Sequence, residues 1–365
     1  MTAEADRRFM ALALALGARG LGQVWPNPAV GCVIVQGDRI VGRGWTQPGG
    51  RPHAETVALA QAGAAARGAT VYVSLEPCAH HGKTPPCAEA LVAAGVARVV
   101  SALEDPDPRV AGRGHAMLRA AGITVDVGEG AAAAERTQCG FLSRVRRGRP
   151  MVTLKLAASL DGRIGTAAGE SRWITGPEAR RMVHQLRATH DAVLIGAGTA
   201  RADDPLLTVR DMGPVRQPVR IVAARGLDLP LTGALARSAH EAPLWLLHGP
   251  LADPARRAAW TAAGAELIEV DETEHGLDMA AALAALGDRG LTRLFCEGGG
   301  QLAAALLGAG LVDDLALFHA GLALGADGRP AAAALGLAAL ADAPRFRLWD
   351  SRPVGGDLYS LWTRN

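Results

Sequence analysis

A chain of 365 residues is too long for one ordinary core, so two domains are expected. Hydrophobic residues make up 49% and the net charge is +2, with arginines spread along the chain, which excludes the clustered basic footprint of a nucleic-acid or anionic-membrane binder. Five scattered cysteines suit a reducing compartment, where thiols bind metals or fill cores, and a cytoplasmic location is expected.

Residues 7–18 place two arginines before an apolar run, as a secretory leader would. Glu4 and Asp6 near the start suit a helix dipole instead, and no small-residue cleavage site precedes a mature start, so a core helix ending near Gly20 is expected. No run approaches the roughly 20 apolar residues that span a bilayer. Residues 29–35 read as a buried strand, and Gln36-Gly37-Asp38 as a turn into a second strand over 39–45. A helix is expected over 53–66, a strand over 70–75, a helix from Cys87, and strands over 97–102 and 123–127. Such alternation predicts an α/β sheet covered by helices. The basic stretch SRVRRGRP, 143–150, reads as a turn, and the boundary is set there, giving domains 1–146 and 147–365. The second part alternates again. Strands are expected over 151–157, 192–195, 219–223, 244–248, 265–270 and 293–296, and helices over 178–189, 254–263, 279–286 and 301–309. Further strands are expected within 311–324 and 346–362.

Three short pieces of the first domain carry chemistry. His53 and Glu55 open a helix in PHAE, Cys78 follows a strand in EPC, and Cys87 opens the next helix in PPC. Zinc takes imidazole and thiolate ligands, and a catalytic site uses three of them plus an open position, which makes His53, Cys78 and Cys87 the candidate set. Glu55 is too close to His53 for a comfortable fourth ligand and well placed to move protons to and from a zinc-activated water. This is the H-x-E…P-C pattern of zinc deaminases. Each piece alone is weak: isolated H-x-E occurs by chance, and two cysteines with eight residues between them are usually core thiols. The combination in strand-then-helix contexts outweighs that reading. The usual spacing is P-C-x-x-C; here AHHGKTPP separates the cysteines and is expected to overhang the substrate.

EPCAHHGKTPPC, with PNPAVGCVIV and PHAE upstream, resembles the N-terminal half of the bifunctional pyrimidine deaminase/reductase family of bacterial riboflavin biosynthesis. The resemblance implies that Lys83 meets the phosphate of a phosphorylated ribosyl pyrimidine and that Asn27 hydrogen-bonds its ring. It leaves His80 and His81 as either substrate contacts or loop caps. Four later blocks, LKLAASLDGRIG, GESRWIT, GAGTARADDPLLTVR and FCEGGGQLAAALL, resemble the reductase half, so the likeness covers nearly the whole chain. A cytidine-deaminase-like three-layer α/β/α domain followed by a dihydrofolate-reductase-like α/β domain is the implied architecture. By this resemblance Ala157, Trp173, Thr199, Asp203, Gly299, Gly300, Gln301, Leu302, Ala303, Ala304 and Ala305 contact NADPH. Ser171, Arg187, Leu207, Arg210 and Glu297 contact the substrate, and Lys155 and Asp161 stand where the family keeps a lysine and an acid.

Physical chemistry supports part of this. Gly298-Gly299-Gly300 before a helix lets backbone amides approach a pyrophosphate. Gly196-Ala197-Gly198 fails as a dinucleotide fingerprint, because Arg201 replaces the third small residue. Arginines such as Arg187 and Arg210 pair with phosphate. Arg225 is available for the 2′-phosphate of NADPH, although Ala224 and Asp228 depart from the family's acid and basic turn. The implied reactions are zinc-dependent (Zn2+) deamination of 2,5-diamino-6-ribosylamino-4(3H)-pyrimidinone 5′-phosphate, then NADPH-dependent reduction of ribosyl to ribityl. Two rivals stand beside this reading: a nucleoside or tRNA deaminase with an accessory domain, and a zinc protein whose metal only holds the fold. The partners expected are the small-molecule substrate and a homodimer or higher homo-oligomer, with neither nucleic acid nor membrane.

Overall fold

The structure, a computed structural model, describes residues 2–82 and 85–364; Lys83 therefore lies outside the described residues. The chain divides into two compact units, 1–148 and 149–365.

The first unit runs α1 (Ala3–Ala18), β1 (Gly31–Gln36), β2 (Arg39–Trp45), α2 (Ala54–Ala62), β3 (Thr70–Val73), α3 (Cys87–Ala94), β4 (Arg98–Ser101), α4 (Arg113–Ala120), β5 (Thr124–Val127) and α5 (Ala131–Arg147). The sheet order is β2-β1-β3-β4-β5. Side chains alternate across a strand, and β1 shows the consequence of burial on both faces. Val33 and Val35 pack with Phe9, Met10, Ala13 and Leu16 of α1, while Cys32 and Ile34 pack with Ala54 and Ala58 of α2 and Leu91 of α3. The leader-like segment is thus a core helix, opened by the Thr2 hydroxyl, which accepts from the Ala5 amide at 3.3 Å. Asp6 takes two hydrogen bonds from Arg98 (2.8 and 2.9 Å) and one from the Tyr72 hydroxyl (2.6 Å), tying α1 to β3 and β4.

Two sequence expectations need correction. SRVRRGRP is no turn through most of its length: α5 continues to Arg147 and stops at Gly148, whose φ of 69° is left-handed. Arg144, Arg146 and Arg147 occupy its last turn, where cations complement the helix dipole. The helix expected over 53–66 ends at Ala62, because Gly63 turns to φ 53° and a short 3-10 segment follows. Helix α4 was not expected at all.

The second unit opens with β6 (Met151–Ser159), β7 (Arg163–Gly165), α6 (Pro177–Ala188), β8 (Ala192–Gly196), α7 (Ala197–Asp203), β9 (Val219–Ala223), α8 (Ala234–Arg237), β10 (Leu244–His248), α9 (Pro254–Ala262) and β11 (Glu266–Glu269). It continues through β12 (Glu272–Thr273), β13 (Gly276–Leu277), α10 (Met279–Asp288), β14 (Arg293–Gly298), α11 (Gly300–Gly308), β15 (Asp314–Ala320), β16 (Arg329–Pro330), β17 (Phe346–Val354) and β18 (Asp357–Arg364). Nine strands form one sheet in the order β11-β10-β9-β8-β14-β6-β15-β18-β17, antiparallel only at the β18 and β17 end. Strand β14 enters between β8 and β6, so the strand order reverses there, and open α/β sheets bind ligands at the carboxyl ends of strands flanking such a point. The Asp191 carboxylate, buried before β8, accepts from the Thr292 amide (2.6 Å), the Thr292 hydroxyl (2.7 Å) and the Arg293 amide (2.9 Å), fixing β8 against β14. Val193, Val222, Leu246 and Phe295 pack over Trp260 on one side of the sheet. No helix among the described residues is long and apolar enough to cross a membrane.

Candidate active sites

In the first unit His53 caps α2, Cys87 is the first residue of α3, and Cys78 lies on the loop after β3. The fold brings these together: His53 Nδ1 is 3.4 Å from Cys87 Sγ and 3.6 Å from Cys78 Sγ, and the Cys87 amide donates to Cys78 Sγ at 3.4 Å. Tetrahedral zinc, with bonds of about 2.3 Å to sulfur and about 2.05 Å to nitrogen, needs N···S separations of roughly 3.5 Å. The donor set and its spacing therefore fit zinc. The Cys87 thiol donates to Cys78, and this bond, with His53 and the Cys87 amide, outweighs burial and draws the Cys78 thiol down to about 4. The same contact and burial push Cys87 up. A thiolate is thus already favoured at one ligand position.

Glu55, in the first turn of α2, is 3% exposed. Burial raises its carboxyl to about 7, against the pull of His53. A carboxyl balanced near neutrality both accepts and returns a proton. Asn27 is half-buried, and its amide crosses Gly50, where an added Cβ would stand 2.0 Å from Asn27 Nδ2. Gly50 also sits at φ 84° and leads through Arg51 and Pro52 into His53, so the segment that seats Asn27 continues into one member of the His53, Cys78 and Cys87 cluster. Of the intervening loop, His81 is exposed and lies 3.5 Å from Glu89, while His80 Nδ1 is buried without a partner among the described residues.

One residue was overlooked in the sequence. Glu76 precedes Pro77-Cys78, and its carboxylate accepts from the amides of Asp105 (3.1 Å), Gly112 (3.0 Å), Gly114 (2.9 Å) and His115 (3.2 Å). It anchors the start of α4 and the loop before it beside the strand end that carries Cys78. Glu76, Glu104 and His115 also group as possible metal donors, yet four N–H groups already fill the Glu76 oxygens. The only sequence signal was an acid beside the Pro-Cys pair, because its partners are backbone amides far along the chain.

In the second unit Glu297 is the penultimate residue of β14 and Arg187 projects from α6. Arg187 Nη2 donates to Glu297 Oε2 at 3.0 Å, its Nε pairs with the other oxygen, and its Nη1 donates to the Thr208 carbonyl at 2.8 Å. The guanidinium fork expected for phosphate is thus engaged by Glu297. Burial opposes ionisation of Glu297, but Arg187 and then Lys155 outweigh it and hold the carboxyl below its ordinary range. Burial lowers the Lys155 ammonium, with Glu297 opposing. Arg210 is exposed, and its amide donates to His184 Nδ1 at 3.3 Å. Leu207 is buried in a left-handed backbone conformation (φ 57°). Ser171 and Trp173 are exposed; Arg180 stacks 4.5 Å from the Trp173 ring, and Arg172 donates to the Asp203 carbonyl at 2.8 Å. Asp161 is drawn down to about 2 by the Ser159 hydroxyl and by the amides of Leu324 and Gly325. It clips two loops together.

Gly298 and Gly299 turn the chain from β14 into α11 with φ of 78° and 102°. The Thr199 hydroxyl donates to the Gly298 carbonyl at 3.1 Å, and a Cβ on Gly299 would stand 2.8 Å from that hydroxyl. Helix α11 begins at Gly300, one residue before the expected start, without a side-chain cap. Its first amides are available to an anion. Gln301 is exposed, Leu302 and Ala303 are buried, and the Ala303 amide already bonds the Gly299 carbonyl at 3.0 Å. Ala304 is half-buried and Ala305 exposed. Ala157 is half-buried on β6, against the cluster of Ala179, Met182 and Phe318. Arg225 follows β9 and pairs with Glu272.

Comparison with known proteins decides between the readings. Residues 150–360 match the model of the RibD C-terminal domain, and residues 3–103 match the cytidine and deoxycytidylate deaminase zinc-binding region. The riboflavin biosynthesis protein RibD of Escherichia coli strain K12 is 44% identical, over 97% of this chain and 98% of that protein. The chain belongs to the RibD family. RibD of Haemophilus influenzae is 42% identical over 98% of this chain and 97% of its own length. Among solved structures, Acinetobacter baumannii RibD, form 1, superposes with a TM-score of 0.90 at 38% identity, covering 100% of both chains. A Thermotoga maritima diaminohydroxyphosphoribosylaminopyrimidine deaminase/5-amino-6-(5-phosphoribosylamino)uracil reductase gives a TM-score of 0.86 at 30% identity, over 100% of this chain and 99% of that one. Both RibD halves are present here, a zinc-binding deaminase region and a reductase domain, and the chain is a bifunctional enzyme of riboflavin biosynthesis. The expected pairing of a cytidine-deaminase-like and a dihydrofolate-reductase-like domain holds. The RibD match across both halves removes the nucleoside-deaminase and purely structural zinc readings.

Proposed function

We propose that domain 1–146 deaminates 2,5-diamino-6-ribosylamino-4(3H)-pyrimidinone 5′-phosphate and domain 147–365 reduces the aminouracil product to the ribitylamino compound with NADPH. The observation that carries the first half is the His53, Cys78 and Cys87 trio at ligand spacing with the buried Glu55 beside it. Those three side chains would hold zinc, which would supply an activated water for hydrolysis. Glu55, buried beside that position, would take a proton there and pass protons to the ring nitrogen and the leaving amine. Asn27, seated on Gly50, orients the pyrimidine edge, and Lys83 meets the phosphate.

The second domain would hold a nicotinamide cofactor, which would supply the hydride for reduction at C1′ of the ring-opened sugar. The turn at Gly298 and Gly299 and the first amides of α11 bind its pyrophosphate, with Thr199 fixing the turn. Ala157, Trp173, Asp203 and the rest of the 301–305 segment line the cofactor's path. Glu297, held by Arg187, faces the substrate with Ser171, Leu207 and Arg210. Exposed Leu348, Trp349 and Leu358 on the terminal hairpin (52%, 49% and 46%) support a homo-oligomer, and the cysteine usage supports a cytoplasmic setting.

The test is Glu55→Gln in the full-length protein. Zinc content measured by mass spectrometry should remain at the wild-type level while ammonia release falls by at least about a hundredfold. Loss of zinc together with activity would assign Glu55 to holding the site rather than to proton transfer.

A further inference from the structure

Residues 204–210 lie outside the sheet ladder, so their backbone groups need partners of another kind. Side chains supply them from two sides. Gln217, half-buried before β9, accepts from the Val209 amide at 2.7 Å and donates to the Val209 carbonyl at 3.1 Å. From α6, Arg187 Nη1 donates to the Thr208 carbonyl at 2.8 Å, and His184 Nδ1 accepts from the Arg210 amide at 3.3 Å. His184 and Arg187 are three residues apart and so share one face of α6. The backbone groups of successive residues in an extended strip point to alternate sides, so Gln217 takes those of Val209 and α6 takes those flanking it.

The strip borders the point where the strand order reverses. The Arg187 side chain that takes the Thr208 carbonyl also binds both oxygens of Glu297 on β14, so one guanidinium joins the strip to that strand. Leu207 and Val209 are buried and anchor the strip. Arg210 is exposed, and its guanidinium forms no ion pair among the described residues, which leaves it open to a phosphorylated ligand. The imidazole suits its part. Burial lowers the His184 ring, and Arg187 and Arg210 add to this against Glu297 and the Thr208 carbonyl. The ring is therefore neutral near pH 7, and Nδ1 can accept an N–H.

We propose that His184 is a positioning residue of the reductase, which acts through the Arg210 amide to set the Arg210 side chain at the substrate beside Glu297. This rests on the reading that Arg210 and Glu297 contact that substrate. The test compares His184→Asn, His184→Gln and His184→Ala in the full-length protein, with kcat and KM measured for the aminouracil ribosyl phosphate and for NADPH. An asparagine oxygen stands one bond from Cγ, as Nδ1 does, whereas the polar group of glutamine lies one bond farther out. His184→Ala and His184→Gln should raise the KM for the pyrimidine by about tenfold, close to one hydrogen bond, with kcat and the KM for NADPH within about twofold of wild type. His184→Asn should stay within about threefold of wild type in every constant. Gln217→Ala, which frees the strip from its other side, should repeat the pattern of His184→Ala. Equal losses in the Asn and Ala variants would overturn the proposal, as would a fall of kcat in all three, which would give the imidazole a part in the chemistry. Unchanged constants in His184→Ala would overturn it too. Failure of the wild type to reduce the aminouracil at all would instead overturn the reductase reading beneath it.

Discussion

Replacing Glu76 tests how the deaminase site is held. Its carboxylate fills four backbone N–H groups, three of them in buried surroundings or nearly so, at 2.9 to 3.2 Å. A hydrogen bond to a charged group contributes about 1.5–3 kcal/mol, and a buried donor left unpaired costs about 1–3 kcal/mol. Glu76→Ala strands four donors, and allowing for entering water the loss should be about 4 kcal/mol or more. Glu76→Gln keeps one acceptor oxygen and turns an NH2 toward the remaining donors, for about 2–4 kcal/mol. Two domains make a single unfolding free energy ill-defined, so hydrogen exchange is the better assay. The amides of Asp105, Gly112, Gly114 and His115 should exchange at least about thirtyfold faster in Glu76→Gln, since 2 kcal/mol is close to that factor. Zinc affinity should fall with them, because Cys78 lies two residues away. Exchange within about threefold of wild type at all four amides, a shift of only about 0.6 kcal/mol, would refute the reasoning.

Further outcomes follow from the same geometry. Gly50→Ala forces a Cβ against Asn27 and a methyl into a left-handed backbone, costing about 1–2 kcal/mol in strain alone. It should raise the deaminase KM by about tenfold and leave reduction of pre-deaminated substrate unchanged. Gly299→Ala places a methyl 2.8 Å from the Thr199 hydroxyl at φ 102°, and should weaken NADPH binding by about tenfold or more without slowing ammonia release. Arg98 holds the Asp6 carboxyl below its ordinary range against burial, with Tyr72 assisting. Its folded value is thus below its unfolded value, so this stabilisation is present above about pH 4 and is lost as pH falls through the folded value. The gap in melting temperature between wild type and Asp6→Asn should be full at pH 6 and close on acidification below pH 4.

The elements legible in the sequence were those with simple periodicity. Strand β10 was expected at its observed bounds, 244–248, because an apolar run between turn signals admits little else. The boundary helix was misread because its arginines look like a solvated loop until they are seen as the last turn of α5. The grouping of His53, Cys78 and Cys87 was legible because zinc chemistry restricts ligand types and because strand ends and helix starts recur in this fold class. Glu76 was not legible, because it acts through backbone amides brought near by the sheet and leaves no spaced pattern of side chains. Arg187 was expected as a phosphate clamp from its residue type, and only the fold reveals that Glu297 takes its fork.

One chain performing both successive reactions is tested by a single assay of zinc-loaded protein with the diaminopyrimidinone ribosyl phosphate and NADPH, following ammonia and cofactor oxidation together. Ammonia release should be followed by an equal amount of NADPH oxidation. Ammonia without oxidation of NADPH or NADH would contradict the reductase half, and the absence of both signals would contradict the substrate assignment itself.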